Sequence, residues 1–393
     1  LPAVTPSTGH LPLLRTTFPG TSTIRAIAGQ DLRALFAERR IPTGTAYTVH
    51  SGAMREIIIG AGAIGSAIGG LLTEAGHRPV LVGRGDHLEA MRRDGLRVLV
   101  PERDVRVEPL VAAGPEEVRL RTDDVLVLTT KTQQAADALA QWADAPVHDA
   151  NGQVIGTAGA VLPVLTALNG VASEAIALRW FARVIGVCVW MPAVMSAPGE
   201  VVVRCGPVRA LLHGSRYPAE LADGADAELL ETLAGRWGDA AIEVPRPPDV
   251  MPWKYRKLLG NMGNAVQALL GEGNGAEIVQ LVCEEALQVY AAAGVVMNSE
   301  AEEAACRARL VIREVPGAPE QMGGSTWQSL RRGVGTVETD YLNGEIVAMA
   351  HRLGRRAPVN AVLTRLLREA AAQGTEPGSM TATDLLELVD QAR

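Results

Sequence analysis

Cysteine is scarce in this chain: Cys188, Cys205, Cys283 and Cys306 are the only four among 393 residues. They are widely spaced, with no C-x-x-C pair and no histidine at ligand spacing. That pattern gives no metal site and reads as small core residues in a reducing compartment, the cytoplasm. Charge is also thin, 21% of residues against 47% hydrophobic, which describes a folded globular protein. The net charge of -7 argues against general nucleic-acid binding. An acidic chain that takes an anionic ligand must gather its few basic side chains locally, so single Lys and Arg residues beside motifs carry weight. Residues 150–173 hold no charge at all, yet Asn151, Gln153, Pro163, Asn169 and several glycines interrupt them. Buried strand and turns suit that stretch better than a spanning helix, and no membrane partner is expected. No internal repeat divides the sequence, and its length favours two domains.

Residues 1–53 lack methionine and hold only two acids, Asp31 and Glu38, amid Thr, Pro, Ser and Arg. A transit peptide shares this bias. Early prolines at positions 2, 6, 12 and 19 break any amphipathic helix, so we read a disordered or non-native leader before Met54.

What the chain does contain begins at Glu56-Ile57-Ile58-Ile59, a β-branched run that empties into Gly60-Ala61-Gly62-Ala63-Ile64-Gly65 and a helix-like continuation. In G-x-G-x-x-G each glycine has a task. Gly60 permits the tight strand exit, Gly62 admits phosphates close to the backbone, and Gly65 lets helix and strand close up. The helix N-terminus adds unpaired amides and partial positive charge for a pyrophosphate. A second strand at Pro79–Val82 completes a βαβ unit. It ends in Gly83-Arg84-Gly85, where an NAD site usually offers a carboxylate to the ribose. An arginine fork there favours the extra phosphate of NADP(H); the other reading is an exposed loop arginine, with Asp86 on the ribose.

Further strands are expected at 97–100 and 105–107, extending the sheet, at 124–130 with Lys131 at its carboxyl end, and at 160–166 running toward Asn169. More β-rich segments follow, and the proline-dense stretch 243–249 marks a linker. Beyond it helices are expected at 253–270, 277–293, 299–313, 336–353 and 361–372. The fold class is therefore α/β: a Rossmann-type dinucleotide-binding domain over 54–245, then an all-helical substrate domain over 250–393.

On the first of those helices Lys257, Asn261 and Asn264 fall at i, i+4 and i+7, one turn after Trp253, and so share a face. Reducing a ketone needs a proton on oxygen and a donor aimed at the developing alkoxide, which a buried lysine beside asparagine supplies. The competing reading is a solvated face, assigned to Lys254 and Arg256. Near 323–344, loop hydroxyls at Ser325 and Thr326 suit a carboxylate, and Glu338 suits a hydroxyl. Thr336 as an N-cap with acids in the first turn explains the same residues without function.

Taken in order, G-A-G-A-I-G at Gly60–Gly65, G-R at Gly83-Arg84, T-K-T at Thr130–Thr132, L-N-G-V at Leu168–Val171, K-L-L-G-N at Lys257–Asn261 and S-T…E-T-D-Y-L-N-G within Ser325–Gly344 resemble the ketopantoate reductase (2-dehydropantoate 2-reductase) family. The resemblance implies NADPH-dependent reduction of ketopantoate to pantoate, on the route to coenzyme A. It implies Lys257 as general acid, Asn261 orienting it, and Glu338 holding the substrate hydroxyl. It places Asn169 and Lys131 beside nicotinamide and the 2-oxo acid, and Ser325 or Thr326 on the carboxylate. The family's second helix asparagine falls eight residues after the lysine, where this chain has Ala265; Asn264 comes one position early. The segment from Trp142 to Ala160 is enlarged. The number of subunits stays open, a homodimer included.

Overall fold

The computed structural model describes residues 54–393 apart from 272–274, 320–322 and 334; the leader assigned to 1–53 lies outside the described residues. In chain order the strands are β1 (Arg55–Ile59), β2 (Val80–Val82), β3 (Leu96–Val100), β4 (Arg103–Val107), β5 (Leu110–Ala112), β6 (Leu120–Arg121), β7 (Asp124–Leu128), β8 (Pro146–His148), β9 (Val154–Thr157), β10 (Pro163–Thr166), β11 (Arg183–Trp190), β12 (Ala193–Ala197), β13 (Glu200–Val203), β14 (Ala210–Tyr217) and β15 (Ile242–Glu243). The helices among them are α1 (Ala63–Glu74), α2 (Gly85–Asp94), α3 (Ala135–Ala143), α4 (Ala158–Val161), α5 (Ser173–Ala177) and α6 (Gly224–Gly238). After the last strand come α7 (Met251–Asn261), α8 (Gly263–Leu270), α9 (Ala276–Ala293), α10 (Glu300–Arg307), α11 (Ser325–Arg331), α12 (Asn343–Arg352), α13 (Pro358–Gln373) and α14 (Ala382–Ala392).

The main sheet runs β15-β14-β11-β10-β7-β1-β2-β5 and is parallel except where β14 meets β11. Successive residues of its central strands feed opposite cores: Ile57 and Ile59 pack on one face and Ile58 on the other. Burial on both faces is why these strands read as continuous apolar runs rather than alternating ones. Register places Ile59 beside both Val82 and Leu128, and Leu128 beside Thr166. The loops after β1, β2, β7 and β10 therefore leave the sheet along one rim, with β1 at the switch point where ligands of such sheets bind.

The structure corrects several expectations. Residues 97–100 and 105–107 do not extend the main sheet. They form an antiparallel hairpin, β3–β4, in a separate sheet ordered β12-β13-β3-β4, since a short turn cannot supply the crossover a parallel strand needs. The strand expected from Ala160 begins at Pro163, after the short α4. The enlarged segment becomes the β8–β9 hairpin of a third sheet with β6.

The single helix expected over 253–270 breaks at Met262, between Gly260 and Gly263, into α7 and α8. Lys257 and Asn261 thus share α7 while Asn264 rides on α8. The helix from Ser299 stops at Arg307, and Ile312 bridges to Cys205 instead. The helix expected from Thr336 divides into a 3-10 turn (Glu338–Tyr341) and α12. Ser325 and Thr326 open α11 rather than sit in a loop. Lys254 and Arg256 are not a solvated face: Lys254 is buried against Glu174, and Arg256 pairs with Glu303.

Helices α7 to α9 and α11 to α14 enclose a core of their own. All four cysteines are free thiols. Among the described residues no helix is long and apolar enough to cross a membrane.

Candidate active site

The rim begins with the glycine turn, where each glycine is required for a different reason. Gly60 adopts φ 108°, and a Cβ there would lie 2.8 Å from the Thr130 backbone nitrogen. A Cβ on Gly65 would fall 2.2 Å from the Gly60 carbonyl oxygen, so α1 can approach β1 only without a side chain at that position. Around Gly62, by contrast, a Cβ would meet no protein atom within 4 Å. No side chain caps the α1 N-terminus. Open space beside uncapped amides fits a pyrophosphate. Arg84 flanks the start of α2 at the end of β2; it is exposed and makes no contact with protein charges or acceptors among the described residues.

Behind the turn, His87 fixes α2 to α1. Its Nδ1 accepts from the Gly199 amide at 2.9 Å, so the ring proton sits on Nε2, 2.9 Å from Ser66 Oγ. Burial lowers the His87 pKa and keeps the ring neutral.

The loop after β7 meets the helical half through Glu338. This carboxylate is 3% exposed, and its Oε1 accepts from the Thr132 amide at 3.0 Å and from Thr132 Oγ1 at 2.9 Å. Lys131 Nζ donates to Oε2 at 3.2 Å. A carboxylate offers about four lone-pair directions, so Oε2 retains capacity for a further donor. Thr336 does not act as a side-chain cap; its Oγ1 takes a 3.5 Å contact from Gln133 Nε2.

From α7, Lys257 reaches the neighbouring loop. Its ammonium donates to Asn169 Oδ1 at 2.7 Å and to the Val189 carbonyl at the end of β11, and it lies over the Trp190 ring. The side chain keeps some solvent exposure, yet its charged end is surrounded by protein. Burial depresses its pKa from the ordinary lysine range; the cations Lys254 and Arg307 act in the same direction, and Cys188 and Glu338 oppose them. Burial also pushes the Cys188 thiol up to about 11, so it stays neutral.

Lys257 and Asn169 are therefore brought together directly, as are Lys131 and Glu338. Thr132 Oγ1 lies 3.4 Å from the Asn169 carbonyl and links the two groups. Asn261 is not a hydrogen-bond partner of Lys257: its Nδ2 is buried with no partner among the described residues. Asn264 faces the turn before α11, with Oδ1 3.3 Å from where a Gly324 Cβ would stand, beside Ser325. Thr326 is buried and Ser325 is half-buried. Sequence reasoning missed three participants. Thr132 stood in the quoted T-K-T motif without a role. The Val189 carbonyl leaves no signal in sequence, and Trp190 shows only as the end of an apolar run.

Two family models match the chain: ketopantoate reductase PanE/ApbA over residues 57–210 and its C-terminal domain over 249–371, together well over half of the sequence. A 2-dehydropantoate 2-reductase of Pyrococcus horikoshii is 28% identical over 334 residues, spanning 82% of this chain and 99% of its own. The solved PanE/ApbA family ketopantoate reductase from Ralstonia eutropha is similar at 26% identity and a TM-score of 0.64, over 82% of this chain and 100% of that one. D-mandelate dehydrogenase, solved with NADH and anilino(oxo)acetate, shares the fold at a TM-score of 0.66 and 21% identity, over 82% of this chain and 99% of that one. With the glycine turn, the shared rim and the helical half all in place, the chain belongs to the ketopantoate reductase PanE/ApbA family of dinucleotide-dependent oxidoreductases.

Proposed function

We propose that the protein reduces 2-dehydropantoate to pantoate with NADPH, serving coenzyme A biosynthesis. The observation that carries this reading is the Lys257 ammonium held on Asn169 Oδ1 at 2.7 Å, on the rim that also bears the glycine turn and that Glu338 meets at Thr132. Gly60, Ala61, Gly62, Ala63, Ile64 and Gly65 would hold the pyrophosphate, and Arg84 the additional phosphate that separates NADPH from NADH. When bound, the reduced nicotinamide supplies hydride. The chain's residues do the rest. Lys257 delivers the proton to the nascent alkoxide, with its depressed pKa making that proton easier to release. Asn169 and the Val189 carbonyl fix the direction of the ammonium. Glu338 accepts the substrate hydroxyl on Oε2, with Lys131 beside it, and Ser325 or Thr326 receives the carboxylate near Asn264. Asn261, whose buried amide nitrogen has no partner among the described residues, would orient Lys257 only through the helix they share.

The test is NADPH oxidation with 2-dehydropantoate against a panel of 2-oxo acids lacking its hydroxyl. Preference for 2-dehydropantoate by about a hundredfold or more supports a site built around the hydroxyl. Equal rates across the panel would reassign the protein to another 2-oxo acid.

A further inference from the structure

Lys254 lies one helical turn before Lys257 on α7 and is 2% exposed. Its ammonium donates to Glu174 Oε1 and lies 3.4 Å from Ser173 Oγ. Glu174 opens α5 and is 0% exposed, and Thr166 Oγ1 donates to the same Oε1 at 2.8 Å. Taking two charges out of water is costly, and a well-packed apolar pair would serve stability as well. Stability alone therefore does not account for the pair.

Its position does. The chain from Thr166 to Glu174 is the loop that carries Asn169. Through Thr166, Glu174 ties one end of this loop to the other; through Lys254, it ties the loop to α7. Three residues further along the same helix, Lys257 grips the middle of that loop at Asn169. Two lysines on one helix thus form adjacent crosslinks to one loop, and only the inner one faces the site.

We propose that the buried Lys254–Glu174 pair is a positioning element that holds α7 and the Asn169 loop in register, so that Lys257 stays in donor geometry on Asn169. The inference rests on Lys257 being the acid. Electrostatics supports it. The groups facing the Lys257 ammonium are Cys188 from β11, Glu338 from the 3-10 turn, Arg307 from α10 and Lys254 on its own helix. Lys254 is the cation among them that is locked in place by a fully buried partner.

The test replaces the pair with neutral groups of similar size, K254M/E174Q, and compares K254R, which keeps the cation. In cofactor-free protein the pH dependence of Lys257 acylation by acetic anhydride, read by peptide mass mapping, reports its titration directly. The midpoint should move away from wild type in K254M/E174Q, as the ammonium loses its fixed place, and stay near wild type in K254R. The kcat with 2-dehydropantoate should fall about 10- to 100-fold in the double variant, with the KM for NADPH unchanged. If the double variant does not fold, T166V releases Glu174 from β10 without touching a charge, and its kcat should fall about 3- to 10-fold. Wild-type acylation and kcat in K254M/E174Q, or wild-type kcat in T166V where that variant is used, would overturn the inference whatever happens to Tm. K257A separates the two levels. Full turnover in K257A removes the acid itself, whereas an inactive K257A beside an unaltered double variant removes only the positioning role.

Discussion

Asn169 and Lys257 meet at 2.7 Å, the side-chain oxygen of one accepting from the ammonium of the other, and the contact joins the sheet rim to the first helix of the helical half. Removing the acceptor in Asn169→Ala leaves the ammonium with the Val189 carbonyl alone. The kcat is expected to fall about 10- to 100-fold. Asn169→Asp puts an opposite charge beside the ammonium and favours its charged form. The acid must be protonated to act, so activity is lost as pH rises through the depressed Lys257 pKa, and the alkaline limb of kcat should move upward in the Asp variant. A limb that moves downward, or stays fixed, would contradict the assignment.

Gly62 and Gly65, on the same turn, should behave oppositely. Gly62→Ala meets no protein atom within 4 Å, so Tm should hold while NADPH affinity drops about tenfold or more. Gly65→Ala drives a Cβ to 2.2 Å from the Gly60 oxygen and should destabilise the fold by about 1–3 kcal/mol. Thermal unfolding with and without NADPH reads both effects. Equal Tm losses in the two variants would remove the pyrophosphate from this turn.

The exposed Arg84 guanidinium tests cofactor choice. Arg84→Ala should weaken NADPH by about tenfold through loss of a charge-assisted phosphate contact while leaving NADH nearly unchanged. Titration with both nucleotides decides it, and an equal loss for the two would place Arg84 elsewhere.

The parts legible in the sequence were those set by local chemistry. The β1 run and its glycines announce themselves because a parallel strand buried on both faces and a phosphate turn each demand particular residues. The rim position of Lys131 and Asn169 followed from apolar runs that end just before them. What stayed hidden was set by distant partners. Lys254 looks like a surface lysine until Glu174, 80 positions away, arrives to bury it. The β3–β4 hairpin reads like more of the main sheet because strand pattern does not specify which sheet a strand joins. The break at Met262 moved Asn264 to another helix, and the only local hint was the glycine on either side.

Thr132 carries two of the bonds that hold Glu338. Thr132→Val removes the hydroxyl and leaves Oε1 with the backbone amide, which should cost about 1–3 kcal/mol in urea unfolding. It should also raise the KM for the 2-oxo acid more than it lowers kcat, because Glu338 is assigned to hold substrate. An unchanged KM with reduced stability would confine the residue to packing.

Two buried histidines set an acid limit. Burial lowers His87, and burial first, with Arg309 second, takes His213 down to about 4. Both rings are neutral in the folded chain, whereas in the unfolded chain they take up protons near their ordinary value of 6.5. Their contribution to stability is therefore complete above that pH and declines below it, that of His213 being lost as pH falls through about 4. His213→Phe keeps the stack on Trp253 but cannot titrate, so the decline of Tm between those limits should be shallower than in the wild type. An identical slope would show that other groups govern the acid limit.

The Lys257 ammonium is the proposed proton source. Saturating kcat for Lys257→Ala, measured with 2-dehydropantoate on protein verified to bind NADPH with wild-type affinity, tests it most directly. A fall of about a thousandfold with intact cofactor binding is the predicted result; turnover within a few-fold of wild type would contradict it.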